Sequence, residues 1–130
     1  MTVVAIDGPA GAGKSSVARA VAHALGFRYV DTGAMYRAIA LAMLEQGIDP
    51  SDQETVESLA RVVAPTLTPE GSPEAQAGRL RDPDVATAAS QVAKYPGVRR
   101  VLAARQREVA SGGDVVMEGR DIGTVIAPDA

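Results

Sequence analysis

The sequence predicts an α/β domain built on a parallel sheet, and three observations predict it. A short apolar run, Val3-Val4-Ala5-Ile6, leads into a glycine-rich octet, Gly8-Pro9-Ala10-Gly11-Ala12-Gly13-Lys14-Ser15, that opens an alanine-rich helical stretch. Near the other end, Val115-Val116-Met117 is continuously apolar and closes on Glu118, the pattern of a strand buried on both faces of a parallel sheet. Between them, apolar residues recur at helical spacing. The resulting order, strand-loop-helix-strand-helices-strand, is that of a layered α/β fold with right-handed crossovers.

The octet fits the pattern G-x-x-x-x-G-K-[ST] in the strand-to-helix context of a phosphate-binding P-loop. Its glycines let successive backbone N–H groups converge on phosphate oxygens while the next helix points its positive dipole end at the same place. Gly8, Pro9, Ala10, Gly11, Ala12, Gly13, Lys14, Ser15 and Ser16 are therefore the expected nucleoside triphosphate cradle. Lys14 reaches the β- and γ-phosphates, and Ser15 supplies a hydroxyl to Mg²⁺.

Val17, Ala18, Val21, Ala22 and Leu25 then give a helix its inward stripe, with Gly26 as the stop and His23 on the solvated face. Residues 27–30 read as a second strand ending in Asp31-Thr32-Gly33, at the side of the sheet where ligands bind. A helix over residues 34–46 carries Tyr36, Ile39, Ala40, Met43 and Leu44 inward, and Gly47 ends it. Arg37 falls in its first turn, where a cation opposes the dipole unless an anion is close. Ser51 and Glu54 form a capping box for a helix running to residue 63, with Val56, Leu59, Val62 and Val63 inward. Residues 65–78, with three prolines and two glycines, read as an extended surface loop.

Asp82-Pro83 starts a helix packed through Val85, Ala88, Ala89 and Val92. Tyr95-Pro96-Gly97 breaks it. A last helix follows, with Val98, Val101, Leu102 and Val109 inward and Arg99, Arg100, Arg105 and Arg107 read as its solvated face. Arg99 stands apart in the first turn. After Gly112-Gly113 comes the buried strand, whose polar end puts Glu118, Arg120 and Asp121 near the phosphates; residues 124–126 start a short further element.

Composition narrows the field. The chain has 130 residues, a formal net charge of -3 and no cysteine, which argues against nucleic acid or an anionic membrane as the main partner and excludes disulfides and thiolate metal sites. No apolar run reaches the length of a membrane span, and the N-terminus lacks the basic region of a signal peptide, so the cytoplasm is the expected location. Of 13 basic residues only Lys14 and Lys94 are lysines. Most of the arginines read as compositional bias, although arginine is also the better fork for phosphate.

A P-loop alone leaves open a switch GTPase, an ATPase motor and a small-molecule kinase. The Asn-Lys-x-Asp segment that reads guanine is absent, and the strand ending Met117-Glu118 is a poor match to the motor pattern. Arginines at helix starts and strand ends suit a second phosphate group, as phosphoryl transfer between two anions requires.

Four segments carry a closer likeness: residues 6–15, Asp31-Thr32-Gly33-Ala34-Met35-Tyr36-Arg37, Ala89-Ser90-Gln91-Val92-Ala93 with Val98-Arg99, and Gly119-Arg120-Asp121-Ile122-Gly123-Thr124-Val125. In order and content they resemble the bacterial cytidylate kinases, or (d)CMP kinases. The resemblance implies a P-loop kinase fold, with residues 1–33 and 113–130 as core and residues 34–112 as an inserted, mainly helical monophosphate-binding region. It implies transfer of the ATP γ-phosphoryl to CMP or dCMP, with Mg²⁺, by a monomer whose partners are small-molecule substrates. Lys14 would neutralise the transferring group, and Arg37 and Arg120 would grip the acceptor phosphate. Thr32, Ser90, Arg99 and Asp121 would surround cytosine, which offers one donor and two acceptors to an arginine and a carboxylate. The alternatives are a P-loop kinase of another small molecule and a nucleotide-binding fragment without turnover. Two departures bear on them. Strand residues expected before Gly78-Arg79-Leu80-Arg81 are missing, and the implied remaining core strands, arginine-bearing lid and acidic and basic residues completing the acceptor site are not among these 130 residues, so the expectation for these residues alone is an incomplete core and weak turnover.

Overall fold

In a computed structural model the fold is described for residues 2–8, 14–68, 82–119 and 122–126. The elements are β1 (Val3–Asp7), α1 (Lys14–Leu25), β2 (Arg28–Asp31), α2 (Thr32–Glu45), α3 (Gln53–Val63), α4 (Pro83–Val92), α5 (Pro96–Ala110) and β3 (Val115–Gly119). A 3₁₀ turn, Ala64–Thr66, follows α3, and one π-helical turn, Ile122–Ile126, follows β3. All pairing is parallel, in the order β1-β3-β2, with Val3 and Arg28 both opposite Val115, and Ile6 and Asp31 both opposite Glu118. The expected α/β architecture is therefore present, with the last of the described strands at the centre of the sheet.

That position explains the composition of β3. All five of its residues are buried. Val115 and Met117 enter the main core with Val30, while Val116 faces the other way and packs with Ala18 and Ala22 of α1. The main core is formed mostly by the helices, and α2 is its axis. Met35, Ala38, Ile39, Ala40, Leu41 and Met43 are all buried, so α2 is apolar around most of its circumference, as a helix enclosed on several sides must be. It packs most extensively against α4, through Val85, Ala88, Ala89 and Val92.

Several expectations are corrected. Val17 and Leu25 are 55% and 50% exposed, because the Ala18–Ala22 ridge sets the face that α1 lays on the sheet. Val62 is 73% exposed, and Ala60 takes the inward place beside Val56 and Leu59. The N-cap of α3 is Asp52, whose carboxylate accepts from Thr55 N, and not Ser51. Ser51 is engaged one step earlier, donating its N–H and hydroxyl to Asp49 Oδ1. These two bonds hold the exposed Asp49 carboxyl below the usual aspartate range, the backbone bond contributing most.

The expected surface loop over residues 65–78 begins instead as part of the core. Leu67 is 1% exposed, and its carbonyl accepts from both Nε and Nη2 of Arg105. The rest of that loop, from residue 69, lies outside the described residues. Arg107 donates to the Ile126 carbonyl but stays exposed, so Arg99, Arg100 and Arg107 fit the solvated reading and Arg105 is the strap. Asp82 and Pro83 do start α4, and Pro96 starts α5. The break between these helices is tied to α3 and the loop before it: Tyr95 donates its hydroxyl to the Pro50 carbonyl, and Gly97 N–H donates to Glu57 Oε2 at 2.7 Å.

Candidate functional site at the strand ends

The three strands run the same way, so their carboxyl ends meet at one edge, where open α/β sheets bind ligands. Asp7 and Gly8 end β1, Asp31 and Thr32 join β2 to α2, and Glu118 and Gly119 end β3. Gly8 N–H donates to the Gly119 carbonyl, which draws the start of the glycine loop to the end of the central strand.

Of the expected cradle, Pro9, Ala10, Gly11, Ala12 and Gly13 lie outside the described residues. Lys14 and Ser15 are the first two residues of α1, their side chains being outside the description, and Ser16 is exposed on the same turn. β1 and α1 thus flank the loop as the strand and helix of the motif.

Arg37 is the sixth residue of α2, because the helix starts at Thr32 rather than Ala34 and places it in the second turn. Side chains in helices lean towards the N-terminus, and Arg37 does so: Nη2 donates to Asp31 Oδ2 at 3.1 Å. Asp31 is also the N-cap, Oδ1 accepting from Ala34 N–H at 3.1 Å. The anion that the Arg37 position calls for is therefore supplied within the chain, and the cation sits on the N-terminal side of α2 with its charge partly compensated. A Cβ on Gly33 would lie 3.0 Å from Arg37 Nη1, so the guanidinium rests against the first turn in space that glycine leaves open.

Thr32 is 4% exposed and donates its hydroxyl to the Glu118 carbonyl at 2.8 Å, tying β2 and α2 to β3. Ser90 is exposed on α4, with its hydroxyl donated back to the Ala86 carbonyl. Arg99 is exposed in the first turn of α5. Arg120 and Asp121 lie outside the described residues, between Gly119 and Ile122. The structure brings Arg37 and Thr32 together at the strand ends; Ser90 and Arg99 stand on the α4–α5 pair. The Glu118 carboxylate, 2% exposed, accepts the hydroxyl of Tyr29, whose ring lies 5.4 Å beneath the Arg19 guanidinium.

Asp7 was not singled out by sequence, yet it fixes the segment after β3. Its two oxygens accept from Ile122 N–H at 2.6 Å and Gly123 N–H at 3.0 Å. A carboxylate ending the strand before the glycine loop was the available signal. Among the described residues no three His, Asp or Glu side chains converge as a metal cage. A shallow cavity of about 220 Å³ lined by Pro50, Ser51, Gln91, Lys94 and Tyr95 contains none of the expected site residues. Among the described residues no helix is long and apolar enough to cross a membrane.

A family model described as cytidylate kinase matches residues 4–130. The chain belongs to the cytidylate kinase family. It is 52% identical to a cytidylate kinase of Solibacter usitatus over 98% of the chain and 56% of that protein. It is 50% identical to one of Pelotomaculum thermopropionicum (98% and 60%) and 48% identical to one of Caldanaerobacter subterraneus (98% and 58%). The chain thus spans less than two thirds of the length of the curated relatives it matches. Within the family match fall the glycine loop, the Asp31–Arg37 pair and the end of β3.

Proposed function

We propose that the protein to which this chain belongs is a nucleoside monophosphate kinase that transfers the γ-phosphoryl group of ATP to CMP or dCMP. The observation that carries this reading is the family match over residues 4–130, which takes in both the glycine loop and Arg37. An oxygen of the acceptor phosphate attacks the γ-phosphorus, the bond to the β-phosphate oxygen breaks, and ADP leaves with CDP or dCDP as product. Such transfer depends on holding two anions in line and offsetting their charge.

Residues 1–33 and 113–130 serve as the nucleotide-binding core, and residues 34–112 as the monophosphate-binding region. The loop amides of residues 8–13 and Lys14 bind and neutralise the β- and γ-phosphates. Ser15 offers a hard oxygen donor that fits Mg²⁺; with no carboxylate cage among the described residues, the hydroxyl and the substrate phosphates would hold the ion. When bound, that ion neutralises charge on the phosphates. Arg37 and Arg120 grip the acceptor phosphate, while Thr32, Ser90, Arg99 and Asp121 select cytosine. Thr32 already donates its hydroxyl to Glu118, so any contact it makes with the base uses the oxygen as acceptor. We infer that the enzyme works as a monomer in the cytoplasm, where both substrates are available.

The test is coupled ADP release from the full-length protein with CMP, dCMP, UMP and AMP as acceptors. CMP or dCMP is expected to be preferred. Equal turnover of AMP and CMP would remove the cytosine assignment of Arg99 and Asp121, and ATP binding without release for any acceptor would leave only a nucleotide-binding module.

A further inference from the structure

We propose that Asp31 is a positioning residue for the acceptor phosphate, holding the Arg37 guanidinium over the first turn of α2 in the gap left by Gly33; this rests on the reading of Arg37 given under Proposed function. Three observations converge. The Asp31 carboxylate divides its oxygens, Oδ1 to the Ala34 N–H that opens the helix and Oδ2 to Arg37 Nη2. The pair is half-buried, with side-chain exposures of 31% for Arg37 and 19% for Asp31, so solvent screens it only in part. Gly33 has no Cβ where Arg37 Nη1 lies, 3.0 Å from the position that atom would take.

An arginine side chain has many rotamers, and a guanidinium fixed before the ligand arrives loses less freedom on binding it. Arg37 has five N–H donors, and among the described residues Asp31 engages only Nη2. The rest of the planar fork therefore keeps N–H donors for a second anion, such as two oxygens of a tetrahedral phosphate. Asp31 offsets part of the positive charge, so the grip it sets up works through orientation more than through net attraction. The same carboxylate starts the helix, so the arginine is indexed to the end of β2 and through it to the sheet.

Asp31→Asn keeps an N-cap acceptor of equal quality but removes the charged partner of Arg37. Gly33→Ala keeps both charged groups but crowds the pair, its Cβ falling 3.0 Å from Arg37 Nη1 and 3.2 Å from Asp31 Oδ1. In the full-length enzyme each is expected to raise KM for CMP about fivefold to tenfold, the scale of one ordinary hydrogen bond, with KM for ATP unchanged. In an Arg37→Ala background the effect of Asp31→Asn should vanish. A lower KM for CMP in Asp31→Asn would overturn the proposal, because Asp31 would then be competing with the phosphate for Arg37. An undiminished penalty in the Arg37→Ala background would overturn it too, by showing that Asp31 acts through the fold. If Arg37→Ala alone leaves KM for CMP unchanged, the phosphate-gripping reading of Arg37 fails, and the positioning role goes with it.

Discussion

Replacing Gly119 with alanine puts a methyl group into the tightest approach among the described glycines. Its Cβ would fall well inside van der Waals contact of Thr32 Oγ1, with Thr32 Cβ at 3.3 Å and Ile122 Cδ1 at 3.2 Å. Thr32 cannot yield cheaply. It is buried and β-branched, and its oxygen is one bond from a Cβ held by the start of α2. Either the hydroxyl turns away from the Glu118 carbonyl, leaving a buried polar group short of its partner at a cost of about 1–3 kcal/mol, or the backbone shifts to relieve the overlap at a similar cost. Gly119→Ala is thus expected to lose about 1–3 kcal/mol.

Thr32→Ala alone removes the hydroxyl bond and leaves a small void, for about 1–3 kcal/mol. In the double variant the worst overlap is gone and only the contacts at 3.2 and 3.3 Å remain, a residue of under about 1 kcal/mol. The two substitutions should therefore be non-additive, with the double variant about 1 kcal/mol more stable than the sum predicts. Urea denaturation followed by helical circular dichroism is the assay, since this chain has no tryptophan. Additivity within about 0.5 kcal/mol, or a Gly119→Ala protein as stable as the parent, would refute the reasoning.

Three further outcomes are expected. Glu57→Ala should cost about 1 kcal/mol in the same denaturation assay, because the carboxylate that receives Gly97 N–H at the start of α5 is lost, and Glu57→Gln should cost less. Asp7→Ala should cost about 2 kcal/mol, by orphaning the Ile122 and Gly123 amides, and should raise the hydrogen-exchange rate of both. Ser51→Ala should raise the Asp49 titration midpoint, read by NMR, towards the ordinary aspartate value. Because the folded value is the lowered one, the contribution of this pair is present above the unfolded pKa and is lost as pH falls through the folded pKa.

The local grammar of the chain was legible: the strand before the glycine loop, the buried strand at residues 115–118, and the helices on either side. Inward faces were legible only as directions. Val17, Leu25 and Val62 lie at the margins of correctly placed stripes, and how far a stripe is covered depends on the neighbouring element, which periodicity does not report. The α3 cap shifted from Ser51 to Asp52 because Asp49 offers Ser51 a competing partner within the same turn. Arg105 looked solvated because its acceptor, the Leu67 carbonyl, is 38 residues away in a segment rich in proline. At the candidate site, the place of Arg37 beside a strand end was readable, whereas its pairing with Asp31 depends on a helix that begins two residues earlier than its apolar stripe suggests.

The central position of β3 has a consequence for how the chain is made. β1 and β2 leave the ribosome first and do not pair with each other; each has Val115 to Gly119 as its hydrogen-bonded neighbour. The bond from Thr2 N–H to Asp114 spans 112 residues. During synthesis the α2–α5 layer has local contacts to make, while both outer strands wait with open edges for a partner that arrives about ten seconds later at ordinary elongation rates. Among the described residues the sheet forms by insertion of β3 between β1 and β2. The strand ends that carry Gly8, Thr32 and Arg37 reach one edge only through β3, so the candidate site at that edge depends on this pairing.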